Sequence, residues 1–336
     1  MCRRCARGDD RGRVSDLRPL ILVAVPPGAG TRSGNRISAL RWARLLTDIG
    51  YRARIQEGWP GESADCLLAL HARRNARAIR AFRRAYPARP VVVVLTGTDL
   101  YRDLRTHQSA RRSLEVADRL VVLQSRALAE LSPSARESAH VIYQSAQPLR
   151  KPPACGRSFD IACVGHLRAV KDPMRAAMAS RALSASSRIQ VIQAGAAMTS
   201  ALEARAKRET EKNSRYEWVG SLTPGGARRL IARSRVLVVS SRMEGGANVI
   251  AAAIIDRVPV IATRISGNIG MPGDDYPGYF DLGDTSGLTE LLQRCESDSS
   301  FLKILKARCR ARRHHFLESS EREGYANLLG PLLRDY

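Results

Sequence analysis

Lysine is scarce in this sequence. Only Lys151, Lys171, Lys207, Lys212, Lys303 and Lys306 occur in a chain of 336 residues whose formal net charge is +23, so arginine carries the positive excess. Aromatic residues make up 5%, too few to interleave a basic face with the stacking platforms that bind single-stranded nucleic acid. The arginines are spread over helix-like stretches such as "ARRNARAIRAFRRAYPAR", residues 72–89, and are not gathered in one block. These shortages argue against nucleic acid as the main partner and leave solvated faces and small anions as the reading of the charge. Random duplex DNA is therefore expected to bind weakly and to be lost near physiological salt. A sub-micromolar affinity that persists there, with a steep salt slope, would restore the nucleic-acid reading.

Long apolar runs are missing too. No stretch approaches the roughly 20 apolar residues that span a bilayer, and "MCRRCARGDDRGRVSDLR" lacks the apolar segment of a secretory signal. The chain reads as soluble and cytoplasmic, with residues 1–18 as a disordered extension. Seven cysteines, an odd number, are scattered along it. Cys66 and Cys163 lie in apolar strand-like runs, where a free cysteine acts as a small hydrophobe, and this usage suits a reducing compartment. Cys2 and Cys5 have the spacing of half a zinc site with no second half, and Asp274, Asp275, Asp281 and Asp284 read as turn residues. No metal and no cofactor are expected.

What is present is an alternation of buried strands and helices. The length suits two domains. "LILVAV", "CLLALH", "VVVVLT" and "RLVVLQ" are continuous apolar runs, each followed by a helical pattern, which predicts a parallel sheet of Rossmann-like type. In the first helix, Ile37, Leu40, Trp42, Ala43, Leu45 and Leu46 give the 3.6-residue period. "SAQPLRKPPACGRS", residues 145–158, reads as a linker, and "FDIACVG", "RIQVIQAG", "YEWVG", "RVLVVSS" and "VPVIAT" begin a second series. The expected organisation is one Rossmann-like domain over 19–147, a second over 148–318, and a C-terminal helix over 319–336 packing back on the first domain. Ligands of open α/β sheets lie at the carboxyl ends of the strands, so the site belongs in the cleft between the sheets.

Two strand ends carry unusual chemistry. In "VGHLRAVKDP" a strand ends at Gly165, and Arg168 and Lys171 follow, where two cations can straddle a diphosphate; a solvated loop is the plainer alternative. In "SRMEGGANVI" a lone Glu244 precedes Gly245 and Gly246, and Gly246, Ala247 and Asn248 would offer unpaired N–H groups to an anion at a helix start. Either element alone is weak. Together they point to a nucleotide diphosphate.

This pair of motifs in the second of two Rossmann-like domains resembles the GT-B glycosyltransferases of the family-4-like group. With "SGNRISALRWARLL", "LHARR", "LTGTDLYRDL", "ADRLVVLQ" and "VIYQSA", the resemblance narrows to the selenosugar synthases of selenoneine biosynthesis and covers about residues 19–284. It implies transfer of the hexose of UDP-N-acetylglucosamine or UDP-glucose to the selenium of selenophosphate. By the same resemblance, Arg168 and Lys171 would stabilise the departing diphosphate and Glu244 would hold sugar hydroxyls, with Gly165, Gly245, Gly246, Ala247 and Asn248 around the nucleotide sugar. Acceptor contacts would come from Gly34, Asn35 and Arg36, in a loop whose glycines permit close approach, and from Thr98 and Asp99 at the end of "VVVVLT". A flexible loop and an N-cap are the respective alternatives. His71 and His166 also end strands but read as structural. One place departs from the pattern: eight residues after Glu244 the group has a second glutamate, near the ribose, and this chain has Ala252. The substitution Ala252→Glu would then tighten donor binding by about 1.5–3 kcal/mol. An oxygen-acceptor glycosyltransferase and an inactive or nucleic-acid-binding α/β protein remain as alternatives.

Overall fold

The computed structural model describes residues 17–28, 34–151, 153–154 and 156–334. The Cys2/Cys5 pair, most of the N-terminal extension and residues 29–33 of the glycine-bearing loop lie outside that range. The first sheet contains β1 (Leu20–Val25), β2 (Arg52–Glu57), β3 (Cys66–Leu70), β4 (Val91–Leu95), β5 (Arg119–Val122) and β6 (Ala139–Val141), in the order β2-β1-β3-β4-β5-β6. The second contains β7 (Phe159–Val164), β8 (Ile189–Ala194), β9 (Tyr216–Trp218), β10 (Val236–Val239), β11 (Val260–Thr263) and β12 (Tyr279–Phe280), in the order β12-β11-β10-β7-β8-β9. All the pairings are parallel. β3 and β4 are buried at every residue because helices cover both faces, which is why their sequences are uninterrupted apolar runs.

The strands that hydrophobicity did not announce are β2, β6 and β12, and all three are sheet edges. β2, "RARIQE", contains no fully buried residue, so its pairing with β1 leaves little trace in composition. The cysteines behave as core. Cys66, Cys163, Cys295 and Cys309 are free and buried, and burial pushes the Cys163 thiol up to about 12, so it is no nucleophile near neutral pH.

The first helix, Gly34–Asp48, corrects one expectation. Its buried face is Ser38, Ala39, Trp42, Leu45 and Leu46, whereas Ile37 is 39% and Leu40 54% exposed. The period is right, but the first turn turns Ser38 inward because that end of the helix meets polar groups rather than the sheet. The chain closes by crossing back: Tyr325, Leu328 and Leu329 of the helix Glu318–Leu329 join the core of the first sheet, with the Tyr325 ring 5.7 Å from Trp42. The segment between β6 and β7 is also less loose than its composition suggests, since Gln144 and Ser145 are each 3% exposed.

Candidate active site

The loops after β7 and β10 build one side of the cleft. Gly165 N donates to Ala194 O at 2.8 Å, and Gly195 (φ +148°) comes so close that a Cβ there would lie 2.0 Å from Gly165 O. Gly195 went unnoticed in the sequence; its only signal is that it follows a strand. Beyond Leu167 the loop carries an exposed Arg168 and then a single 3₁₀ turn, Ala169–Lys171. Ser240 Oγ at the end of β10 donates to Lys171 O (3.1 Å) and Asp172 O (2.9 Å), and Arg242 N donates to Val170 O (2.8 Å). These bonds fix the turn against β10. Lys171 Nζ accordingly pairs with Glu244 Oε1, which also accepts from Ser241 Oγ at 2.6 Å. Two residues 73 positions apart are thus brought together, and Glu244 is 8% exposed. Arg168 shares the loop with Lys171 and makes no such pair among the described residues.

Glu244 leads into the helix Asn248–Ile255, whose residues from Ile250 onward are all buried. Ala247 sits in the N-cap position with no side-chain cap. The N–H groups of Gly246, Ala247, Asn248 and Val249 have no hydrogen-bond partner among the described residues. Four donors at the positive end of a helix, with an ammonium nearby, form a site for an anion.

Across the cleft the two domains touch backbone to backbone. A Cβ on Gly245 would fall 2.6 Å from Gly97 N, and one on Gly97 would fall 2.8 Å from Gly245 N. The glycine next to Glu244 therefore serves close domain contact. Thr98 is half-buried beside this contact, and a π-helical turn, Asp99–Asp103, follows it. Asp99 is fully buried. Its Oδ1 accepts from Thr96 N (2.8 Å) and Thr96 Oγ1 (2.7 Å), and its Oδ2 from Ala72 N (2.8 Å). Burial pushes its carboxyl above the usual range, against the pull of His71 and these bonds. Asp99 is neither a helix cap nor a group open to the cleft; it ties the end of β4 to the segment after β3. His71, at φ 74°, lies 3.9 Å from both Asp99 and Asp103, and its Nδ1 accepts from Arg74 N at 3.3 Å, while His166 Nδ1 accepts from Ala196 N at 3.2 Å. Both rings are thus held by backbone donors. Gly34, Asn35 and Arg36 open the first helix, Gly34 exposed and the other two half-buried.

Ala252 is 4% exposed inside the second domain's core, on a helix that packs against the Arg313–Phe316 turn. This reverses the expectation for a glutamate at that place. Ala252→Glu should destabilise by about 2 kcal/mol or more through a buried carboxylate, a fall of roughly 4–8 °C in the Tm of a domain the size of the second one. Thermal unfolding checks this, and an unchanged Tm with a lower KM for the donor would contradict it. Among the described residues no three His, Cys, Asp or Glu groups are arranged to hold a metal ion, and no helix is long and apolar enough to cross a membrane.

Residues 158–297 match the model of the glycosyl transferases group 1 family. By sequence, no curated protein matches the chain. Among solved structures, Anabaena HepE in complex with UDP and glucose is similar at TM-score 0.72 and 15% identity, covering 94% of this chain and all (100%) of that one. Sucrose-phosphate synthase from Thermosynechococcus elongatus is similar at TM-score 0.75 and 14% identity, covering 95% and 100%. A Rickettsia africae glycosyltransferase reaches TM-score 0.73 at 12% identity, with 95% and 100% covered. The fold is that of the GT-B glycosyltransferases: two parallel six-stranded sheets facing a cleft.

Proposed function

We propose that this chain is a glycosyltransferase that moves the hexose of a UDP-sugar, UDP-N-acetylglucosamine or UDP-glucose, onto the selenium of selenophosphate in the cytoplasm. The observation that carries the donor half is the meeting of Lys171 and Glu244 beside the four N–H groups of Gly246–Val249 that have no partner among the described residues. In this reading the diphosphate lies on those N–H groups and near Gly165, and Lys171, with Arg168, takes up the charge that grows on the departing UDP. Glu244, held by Ser241, accepts from sugar hydroxyls, and Gly245 lets the sugar approach the backbone. The complex of HepE with UDP and glucose and the group 1 match over residues 158–297 support a UDP-sugar donor.

The acceptor half rests on what the first domain offers. Asp99 and His71 are buried and already bonded, so neither is presented as a general base. Selenium in selenophosphate is ionised at neutral pH and needs no base to lose a proton. Its attack forms C1–Se as C1–O to the diphosphate breaks, and UDP carries the electron pair away. The first product is a hexosyl phosphoroselenoate, and water then cleaves P–Se to phosphate and selenosugar. The "LHARR" and "TGTDLYRDL" segments, through which the sequence resembles selenosugar synthases, frame this side, with Gly34, Asn35, Arg36 and Thr98 as acceptor contacts. Asp99 acts there only by bracing the loop.

The test is incubation of the purified protein with UDP-N-acetylglucosamine or UDP-glucose and either selenophosphate or a panel of hydroxyl acceptors, with mass detection. A selenosugar formed only with selenophosphate is the expected result. An oxygen-linked glycoside with no selenium product would establish the oxygen-acceptor reading instead.

A further inference from the structure

A buried polar network spans the two domains at the mouth of the Asn248–Ile255 helix. Arg41, on the first helix, donates from Nε to Glu321 Oε2 (3.0 Å), from Nη2 to Gln144 Oε1 (2.7 Å) and from Nη1 to Asn248 Oδ1 (3.1 Å). Glu321, on the returning C-terminal helix, is 1% exposed and also accepts from Trp42 Nε1 (2.7 Å) and Ser145 N (2.8 Å). Its charge is thus matched, and it fixes Arg41 in turn. Ser38 Oγ donates to Gln144 Oε1 as well, so the amide oxygen has two donors and the orientation of Gln144 is determined. Its Nε2 is then left to donate to Gly246 O at 2.9 Å.

That last bond bears on the anion site. The carbonyl of Gly246 and the N–H of Ala247 belong to one trans peptide and point in opposite directions. A donor holding the carbonyl therefore aims the Ala247 N–H the other way, and it polarises the peptide so that this N–H donates more strongly. We propose that Gln144, oriented by Arg41 and Ser38, is a positioning residue for the diphosphate of the donor, acting through the Gly246–Ala247 peptide. The proposal rests on the UDP-sugar reading above. It gives the buried Gln144 and the C-terminal Glu321 a part in donor binding that no contact with the ligand would reveal.

Gln144→Met removes the donation with little change of volume and adds no charge. Calorimetry of UDP and competition by uridine give two affinities, and only the first depends on the diphosphate. The expected result is about tenfold weaker UDP, uridine within twofold, and a modest change in Tm. Arg41→Lys keeps a charge beside Glu321 but cannot fork to Gln144 and Asn248. It should show the same selective loss, and the double variant should be no weaker than Gln144→Met alone because the two act in series. Arg41→Lys also serves as the test if Gln144→Met does not fold. UDP affinity within twofold of the parent in both variants overturns the proposal, as does an equal loss for UDP and uridine, which would mark a purely structural role. A parent protein that binds no UDP would instead remove the donor reading, and the proposal with it.

Discussion

Lys171→Ala is expected to lower kcat by about 100- to 1,000-fold, the scale seen when one preorganised group facing developing charge is removed. The reason is geometric. The 3₁₀ turn Ala169–Lys171 is pinned by Ser240 and by the Arg242 N–H, which holds the Lys171 ammonium beside Glu244. The fold should survive, because Glu244 keeps its bond from Ser241 and the lysine side chain is itself 32% exposed. Arg168→Ala should cost less, about tenfold, since an exposed guanidinium is more strongly screened. UDP release beside far-UV circular dichroism measures both effects. Lys171→Ala activity within a few-fold of the parent, at unchanged helicity, would take this residue out of the site.

Gly245→Ala is the second large effect. The added methyl would sit 2.6 Å from Gly97 N and 2.7 Å from Thr96 C, and both are backbone, with no rotamer by which to move aside. The domains must separate at the point where Glu244 enters the cleft. The expected loss in kcat/KM is about 100-fold or more, on the scale reached when catalytic groups are displaced by an ångström. Small-angle scattering should show a more open molecule. Gly97→Ala should reproduce the effect from the other side. Gly225→Ala is the control: its nearest contact is the Arg229 side chain at 3.5 Å, it lies in the helix Pro224–Arg233, and it should keep parental turnover with equal or slightly higher Tm. Parental activity in Gly245→Ala would mean that the cleft does not work in this closed arrangement.

Much of the architecture was legible because it is written in contiguous residues. β3 and β4 announce themselves as unbroken apolar runs, and the helix Asn248–Ile255 begins and ends where "NVIAAAII" does. β2 and β12 were silent because an edge strand need not be apolar throughout and can be very short. Lys171 and Glu244 stood out in the sequence because each follows a strand, and the structure pairs them. Asp99 looked like a ligand for the same reason, and only the structure shows it fully buried and tied to Ala72 and Thr96. The network of Arg41, Gln144 and Glu321 left no local trace. Its partners are separated by 103 and 280 positions, and each residue alone reads as an ordinary polar residue of a helix or linker. The exposed Ile37 and Leu40 show the converse: a correct helical period does not tell which arc of it the neighbouring domain leaves uncovered.

The proposed reaction brings a UDP-sugar and an already ionised selenium nucleophile together in one cleft. Phosphorus NMR of a single reaction, UDP-N-acetylglucosamine with selenophosphate and catalytic protein, follows both halves at once. UDP should appear in step with the loss of the selenophosphate signal, at one equivalent each, and Lys171→Ala should suppress both changes together. UDP formed while selenophosphate persists, or selenophosphate lost while the UDP-sugar is untouched, would contradict it.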